Sequence, residues 1–221
     1  MNPADADRRC ASAAIVLMVS AVMVGGCSGV AGSGSGATGE PDEPATAASA
    51  SAPTSSDTFD QELHDELVQM LDDDQRERAE LTPEQWNDRE RAERLDEILT
   101  EHGWPGFDLV GEDGEDAAWA IAQHADHDVE FQRRAVGLLR DAVEAGQGSP
   151  GNLAYLADRV ELNSGGEQVY GTQLGCDGAT ASPAPLGDPD TVDDRRAEVG
   201  LPPLQEYLDE FADICAQDTN R

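Results

Sequence analysis

The stretch from Ser28 to Asp57 most constrains what this chain can fold into, because it offers a core almost nothing. It consists largely of Gly, Ser, Ala, Thr and Pro, with acids at Glu40, Asp42, Glu43 and Asp57, and has no aromatic residue. Such a composition cannot offset the entropy of ordering and is expected to stay flexible. Its Gly/Ser part reads as coil, stiffened later by Pro41, Pro44 and Pro53. Any folded unit therefore starts near Thr58, and 58–221 is long enough for one domain.

The segment ahead of that tether carries a different signal. Arg8-Arg9 precedes an apolar run, Ala11 to Val24, and then Val24-Gly25-Gly26-Cys27. A membrane-spanning helix needs about 20 residues, so this run suits the apolar part of an export signal. Small residues before a cysteine fit a lipoprotein cleavage site. The expected organisation is a signal peptide at 1–26, a lipid-anchored linker at 27–57 with Cys27 acylated, and an extracytoplasmic domain at 58–221. Two or more acyl chains on Cys27 would hold it stably at a membrane. The expected location is the cell membrane, on its outer face.

Charge narrows the partners. The chain has 46 acids against 14 basic residues, all of them arginine, for a net charge of −32. Such a polyanion repels phosphate backbones, so nucleic acid is excluded as a partner. The acids are spread along the chain, as a solvated surface requires. Aromatic residues are 5% of the sequence, so the core must be mainly aliphatic.

The periodicity of 58–221 is helical. Phe59, Leu63, Leu67, Met70 and Leu71 form one stripe, predicting a helix over 60–80. Thr82-Pro83-Glu84-Gln85 reads as an N-cap with a capping box, opening a helix to about Glu101 that Gly103 ends. Trp104-Pro105-Gly106 reads as a turn. Acids at 112–116 precede Ala117, Trp119 and Ile121, as at a helix start. Val129, Val136, Leu139 and Val143 mark a fourth helix, and Ser149-Pro150 caps a fifth that stops at 163–166. Gln168 to Leu174 reads as extended, one arm of a small hairpin. Asp190 is expected to cap a helix ending at Gly200, and Pro202-Pro203 to open the last. The fold class is mainly α: a single orthogonal helical domain with a short hairpin-like element.

Cys10 leaves with the signal and Cys27 takes lipid, so Cys176 and Cys215 remain. Two thiols in an oxidising compartment are expected to pair. Zinc is the weaker alternative, since no close His partner accompanies them; neither a metal site nor a cofactor is expected.

Two polar clusters carry the candidate chemistry: Gln123-His124-Ala125-Asp126-His127-Asp128 with Gln132, and Tyr155-Leu156-Ala157-Asp158-Arg159 with Tyr170-Gly171-Thr172-Gln173. Together with Gly103-Trp104-Pro105, Val199-Gly200-Leu201 and Pro203-Leu204, in this order, they resemble an uncharacterised bacterial family of secreted and lipid-anchored proteins, DUF6624. The resemblance covers roughly 103–207. It implies homology and supplies no reaction. Where the family pattern has Pro after Asp128, this chain has Val129.

Each cluster supports two readings. His124 is either a general base oriented by Asp126 or Asp158, or a structural histidine. Asp128 reads as a helix cap. Asp158-Arg159 is either an ion pair between helices or leaves Arg159 to hold an anionic ligand group. Thr172 and Gln173, beside Gly171, form either a ligand-facing edge or a tight bend. The favoured function is a lipoprotein head binding a small polar ligand or an envelope protein through Asp158, Arg159, Tyr170, Thr172, Gln173 and Gln132. The alternatives are an extracytoplasmic hydrolase using His124 and Asp126, and a structural envelope protein without a ligand. No Gly-x-Ser-x-Gly motif is present, so a hydrolase here would use water as its nucleophile.

Overall fold

A computed structural model of the chain describes residues 58–218. The expected signal segment, the expected acylation at Cys27 and the expected tether lie outside the described residues. Helix α1 (Gln61–Glu80) starts where its stripe predicts, because the Asp60 carboxylate accepts the Leu63 N–H at 3.0 Å. Leu63 and Leu67 then face the core. Thr82–Gln85 does form a reciprocal cap, but it closes only a 3-10 turn at Pro83–Gln85. Helix α2 (Asp88–His102) begins after it. The break has a local cause: the Glu77 carboxylate takes both the backbone N–H (2.9 Å) and the side-chain amide (2.8 Å) of Asn87, turning the chain there. Gly103, at φ 70°, ends α2 as expected.

Helix α3 (Phe107–Gln123) has a non-helical residue, Gly111 at φ 75°. A single turn precedes it, and the longer part begins at the acids read as a helix start. Helix α4 (Val129–Glu144) is capped by Asp128, whose carboxylate accepts the Phe131 N–H at 3.0 Å. Val129 in place of proline therefore leaves a capped start. Helix α5 (Pro150–Asn163) has Ser149 as its cap, accepting from the Asn152 N–H at 3.2 Å. Helix α3 packs against α1, α2, α4 and α5. Leu67, Leu95, Ile98, Val110, Ile121, Leu139 and Leu156 fill the space between them.

The remainder of the chain is built differently. The hairpin is real but displaced: strands β1 (Leu174–Asp177) and β2 (Thr180–Pro183) pair antiparallel, with Leu174 opposite Pro183 and Asp177 opposite Thr180. Residues 168–173 lie outside the two strands: Gln168 makes an isolated bridge to Leu186, and α5 takes the backbone donors of 169, 170 and 172 as described below. A 3-10 turn at Pro189–Thr191 precedes α6 (Val192–Glu198), so Asp190 lies inside that turn and Thr191 takes the cap position. Helix α7 (Leu204–Asp218) follows Pro202-Pro203, and its first N–H is capped by Asp193 of α6 at 2.7 Å. A disulfide joins Cys176 of β1 to Cys215 of α7, the pairing read from the sequence. The molecule is mainly helical with one small hairpin.

Candidate functional site

Asp158 on α5 is fully buried and organises the segment after it. Its carboxylate accepts the backbone N–H groups of Val169 (2.7 Å), Tyr170 (3.1 Å) and Thr172 (3.0 Å), and the Thr172 hydroxyl (2.9 Å). A carboxylate so saturated holds a bend and has little left for a ligand. Gly171 makes the bend possible at φ 68°. From the other side Arg196 of α6, also fully buried, donates to the Tyr170 carbonyl at 2.9 Å and packs on the Tyr207 ring. Two opposite charges thus clamp one stretch of backbone. The Tyr170 side chain itself is half-buried.

The Thr172-Gln173 end of the bend meets the end of α3. Gln173 accepts from the Gln123 amide (3.2 Å) and from Arg159 (3.1 Å) through one oxygen, and donates to the Tyr155 carbonyl and Thr172 hydroxyl. Gln132, fully buried, donates to the Ala122 carbonyl at 3.1 Å in the last turn of α3 and accepts from Asn163 at 2.9 Å. Asp126 accepts from Arg159 Nε at 2.8 Å and from Asn163 at 2.9 Å, both on its Oδ1. Arg159 therefore pairs with Asp126, not with Asp158. Asp126 and Asn163 are exposed and Arg159 is partly so, which leaves an open rim over a closed interior. At that rim Asp126 Oδ2 and Arg159 Nη2 have no partner among the described residues.

His124 turns the other way, toward α1. Its Nδ1 lies 3.0 Å from Asp74 Oδ2, off the line of an ideal N–H bond. The orienting carboxylate is therefore Asp74, and neither Asp126 nor Asp158. Asp74 is fully buried and also holds Arg78 at 2.9 Å and Arg91 at 3.3 Å. Burial alone would raise its pKa, but His124 and Arg78 outweigh that and hold it at about 2. The Trp86 ring stacks on Arg78, with 4.3 Å from Cζ to the ring centre. The indole N–H of Trp86 and Nε of Arg91 are buried without a partner among the described residues. His124 itself is 7% exposed, and its Nε2 contacts no protein acceptor among the described residues.

The sequence profile of a family of unknown function, DUF6624, matches residues 61–218. The chain belongs to this family. The match begins with α1, well before the 103–207 span on which the resemblance was read. No curated protein and no solved structure matches the chain.

Two buried groups of this DUF6624 domain escape sequence reasoning. Asp74 continues the α1 stripe, at Leu63 + 11 and Leu67 + 7, so a carboxylate at a core position was the available signal. Glu115 of α3 is fully buried between the Trp104 indole N–H (3.1 Å), the Ser149 N–H (3.4 Å) and the Asn152 amide (2.9 Å), and the same amide reaches Asp116 at 2.7 Å. Burial pushes Glu115 up to about 7, against the donors that favour its charge. It sits among acids that read only as a helix start. Among the described residues no three His, Cys, Asp or Glu side chains group as metal ligands, and no helix is long and apolar enough to cross a membrane.

Proposed function

We propose that this chain is a lipoprotein anchored through Cys27, whose helical head binds a small polar ligand or an envelope protein on the outer face of the membrane. The observation that carries the reading is the split in the polar network. Asp158, Gln132 and Thr172 are buried and spent on the protein itself, whereas Asp126, Arg159 and Asn163 form an open rim. One free acceptor, Asp126 Oδ2, and one free donor, Arg159 Nη2, stand at that rim. A group offering both a donor and an acceptor, such as a peptide amide, suits them. The test is an NMR titration of the full chain with N-acetylalanine amide. Shifts confined to Asp126, Arg159, Asn163 and Gln173, and absent in Arg159→Gln, are expected. Unchanged spectra at millimolar probe would leave a structural envelope protein instead.

A hydrolase is the second reading, favoured by the His124–Asp74 contact. An ionised Asp74 against Nδ1 leaves Nε2 to act as base toward a water. Its burial counts against it. Hydrolysis of a chromogenic ester that disappears in both His124→Gln and Asp74→Asn would move the function to this dyad. Membrane attachment has its own test: mass spectrometry of the cell-extracted protein should find an acylated Cys27 as the first residue.

A further inference from the structure

In the C-terminal part of the domain one covalent bond ties the hairpin to the last helix, whose Tyr207 lies on the helical body. The contacts of β1 and β2 are chiefly with each other and with α7, and α7 packs on the hairpin and on α6. Two strands of four residues each are marginal without further support. The bond between Cys176 and Cys215 supplies that support, closing a separation of 39 residues. The two cysteines are unequal: Cys215 is fully buried, while Cys176 lies on an exposed part of β1. From α7, Tyr207 reaches the body. Its hydroxyl donates to the Thr172 carbonyl at 3.2 Å, and its ring meets Tyr155 edge-on at 6.1 Å. Phe211 is buried one turn further along, 6.4 Å from Tyr207.

We propose that the Cys176–Cys215 disulfide is a redox-operated clasp. A dithiol reductant opens it, releasing α7 from the hairpin, so that Tyr207 leaves the Thr172 carbonyl and uncovers Tyr155 and the Thr172-Gln173 edge. The step is thiol–disulfide exchange. A thiolate of the reductant attacks Cys176 Sγ, the sulfur–sulfur bond breaks, and Cys215 leaves as a thiolate that takes a proton. The second thiol of the reductant then displaces Cys176, so the reductant ends as a disulfide and the protein carries two thiols. Exposure of Cys176 sets the side of attack. The α1–α5 body keeps its own apolar core and stays folded. The clasp operates whether or not the Asp126–Arg159 rim binds anything.

The experiment uses the full chain with and without dithiothreitol, followed by amide hydrogen exchange and peptide mapping of trapped mixed disulfides. Exchange in β1, β2, α7 and at Thr172 and Gln173 should rise on the order of 100- to 1000-fold, the scale set by opening a loop of this length. Exchange in α1–α5 should be unchanged, and a monothiol should be trapped on Cys176. Cys215→Ala should reproduce the reduced pattern without reductant. Tyr207→Phe should speed exchange around Thr172 while leaving the hairpin protected. The proposal is overturned by unchanged protection on reduction, by loss of protection in all helices together, by trapping at Cys215, or by free thiols at both positions in untreated protein.

Discussion

The body of five helices and the C-terminal region from 168 to 218 solve the same problem by different means. The body buries a continuous aliphatic core, with α3 against α1, α2, α4 and α5. Burial of this kind is non-directional and spread over many side chains. The C-terminal region has few buried apolar residues: Val192, Phe211 and Cys215. It depends on a small number of directional ties: Asp158 on its backbone donors, Arg196 on the Tyr170 and Pro202 carbonyls, and the disulfide. A diffuse core tolerates the loss of one contact, whereas a region held at a few points is vulnerable at each of them.

The sharpest way to break this contrast is Asp158→Ala. It strands three backbone N–H groups and a hydroxyl, and should cost about 3 kcal/mol or more. Denaturant unfolding followed by two probes should show the C-terminal region loosening before the body; one coincident transition would erase the distinction.

Charges buried inside the body sharpen the comparison through pH. Glu115 has a folded pKa of about 7, raised from 4.5. Its contribution is fully present below 4.5 and is lost as pH rises through 7, a change of about 3 kcal/mol. Asp74 behaves in the opposite sense, with a folded pKa of about 2 lowered from 3.8. Its contribution, about 2 kcal/mol, is present above 3.8 and is lost as pH falls toward 2. Thermal unfolding across pH should therefore show a maximum between those limits. Glu115→Gln should flatten the alkaline side and Asp74→Asn the acid side. The smallest expected effect is Ser149→Ala, about 1 kcal/mol from a single cap, measured as a uniform shift in the denaturation midpoint of the body.

Legibility in the sequence followed the range of the interaction. Asp128 and Ser149 could be read as caps because each acts on an N–H three residues away. Thr82 shows the limit of such local signals. Its cap formed, but Glu77, from the preceding helix, captured Asn87 and stopped the helix from propagating. The hairpin begins six residues later than its extended pattern suggests, because such a pattern does not say who takes the backbone donors, and here a buried carboxylate takes those of 169, 170 and 172. At the candidate site the participants Arg159, Asp126, Gln132 and Gln173 were recognisable as a polar set, but Asp158 and Arg159 look in different directions despite adjacency.

By itself the sequence determined a mainly helical class, the helix starts that depend on local caps, the cystine pair and membership of DUF6624, because these rest on periodicity, nearest-neighbour hydrogen bonds, the count of remaining cysteines and motif order. Only the tertiary structure decided that His124 faces Asp74, that Asp158 is spent on the backbone of 169–172, and that Asp126 and Arg159 stand open. Those outcomes depend on how helices far apart in sequence are packed, and on which polar groups that packing removes from water.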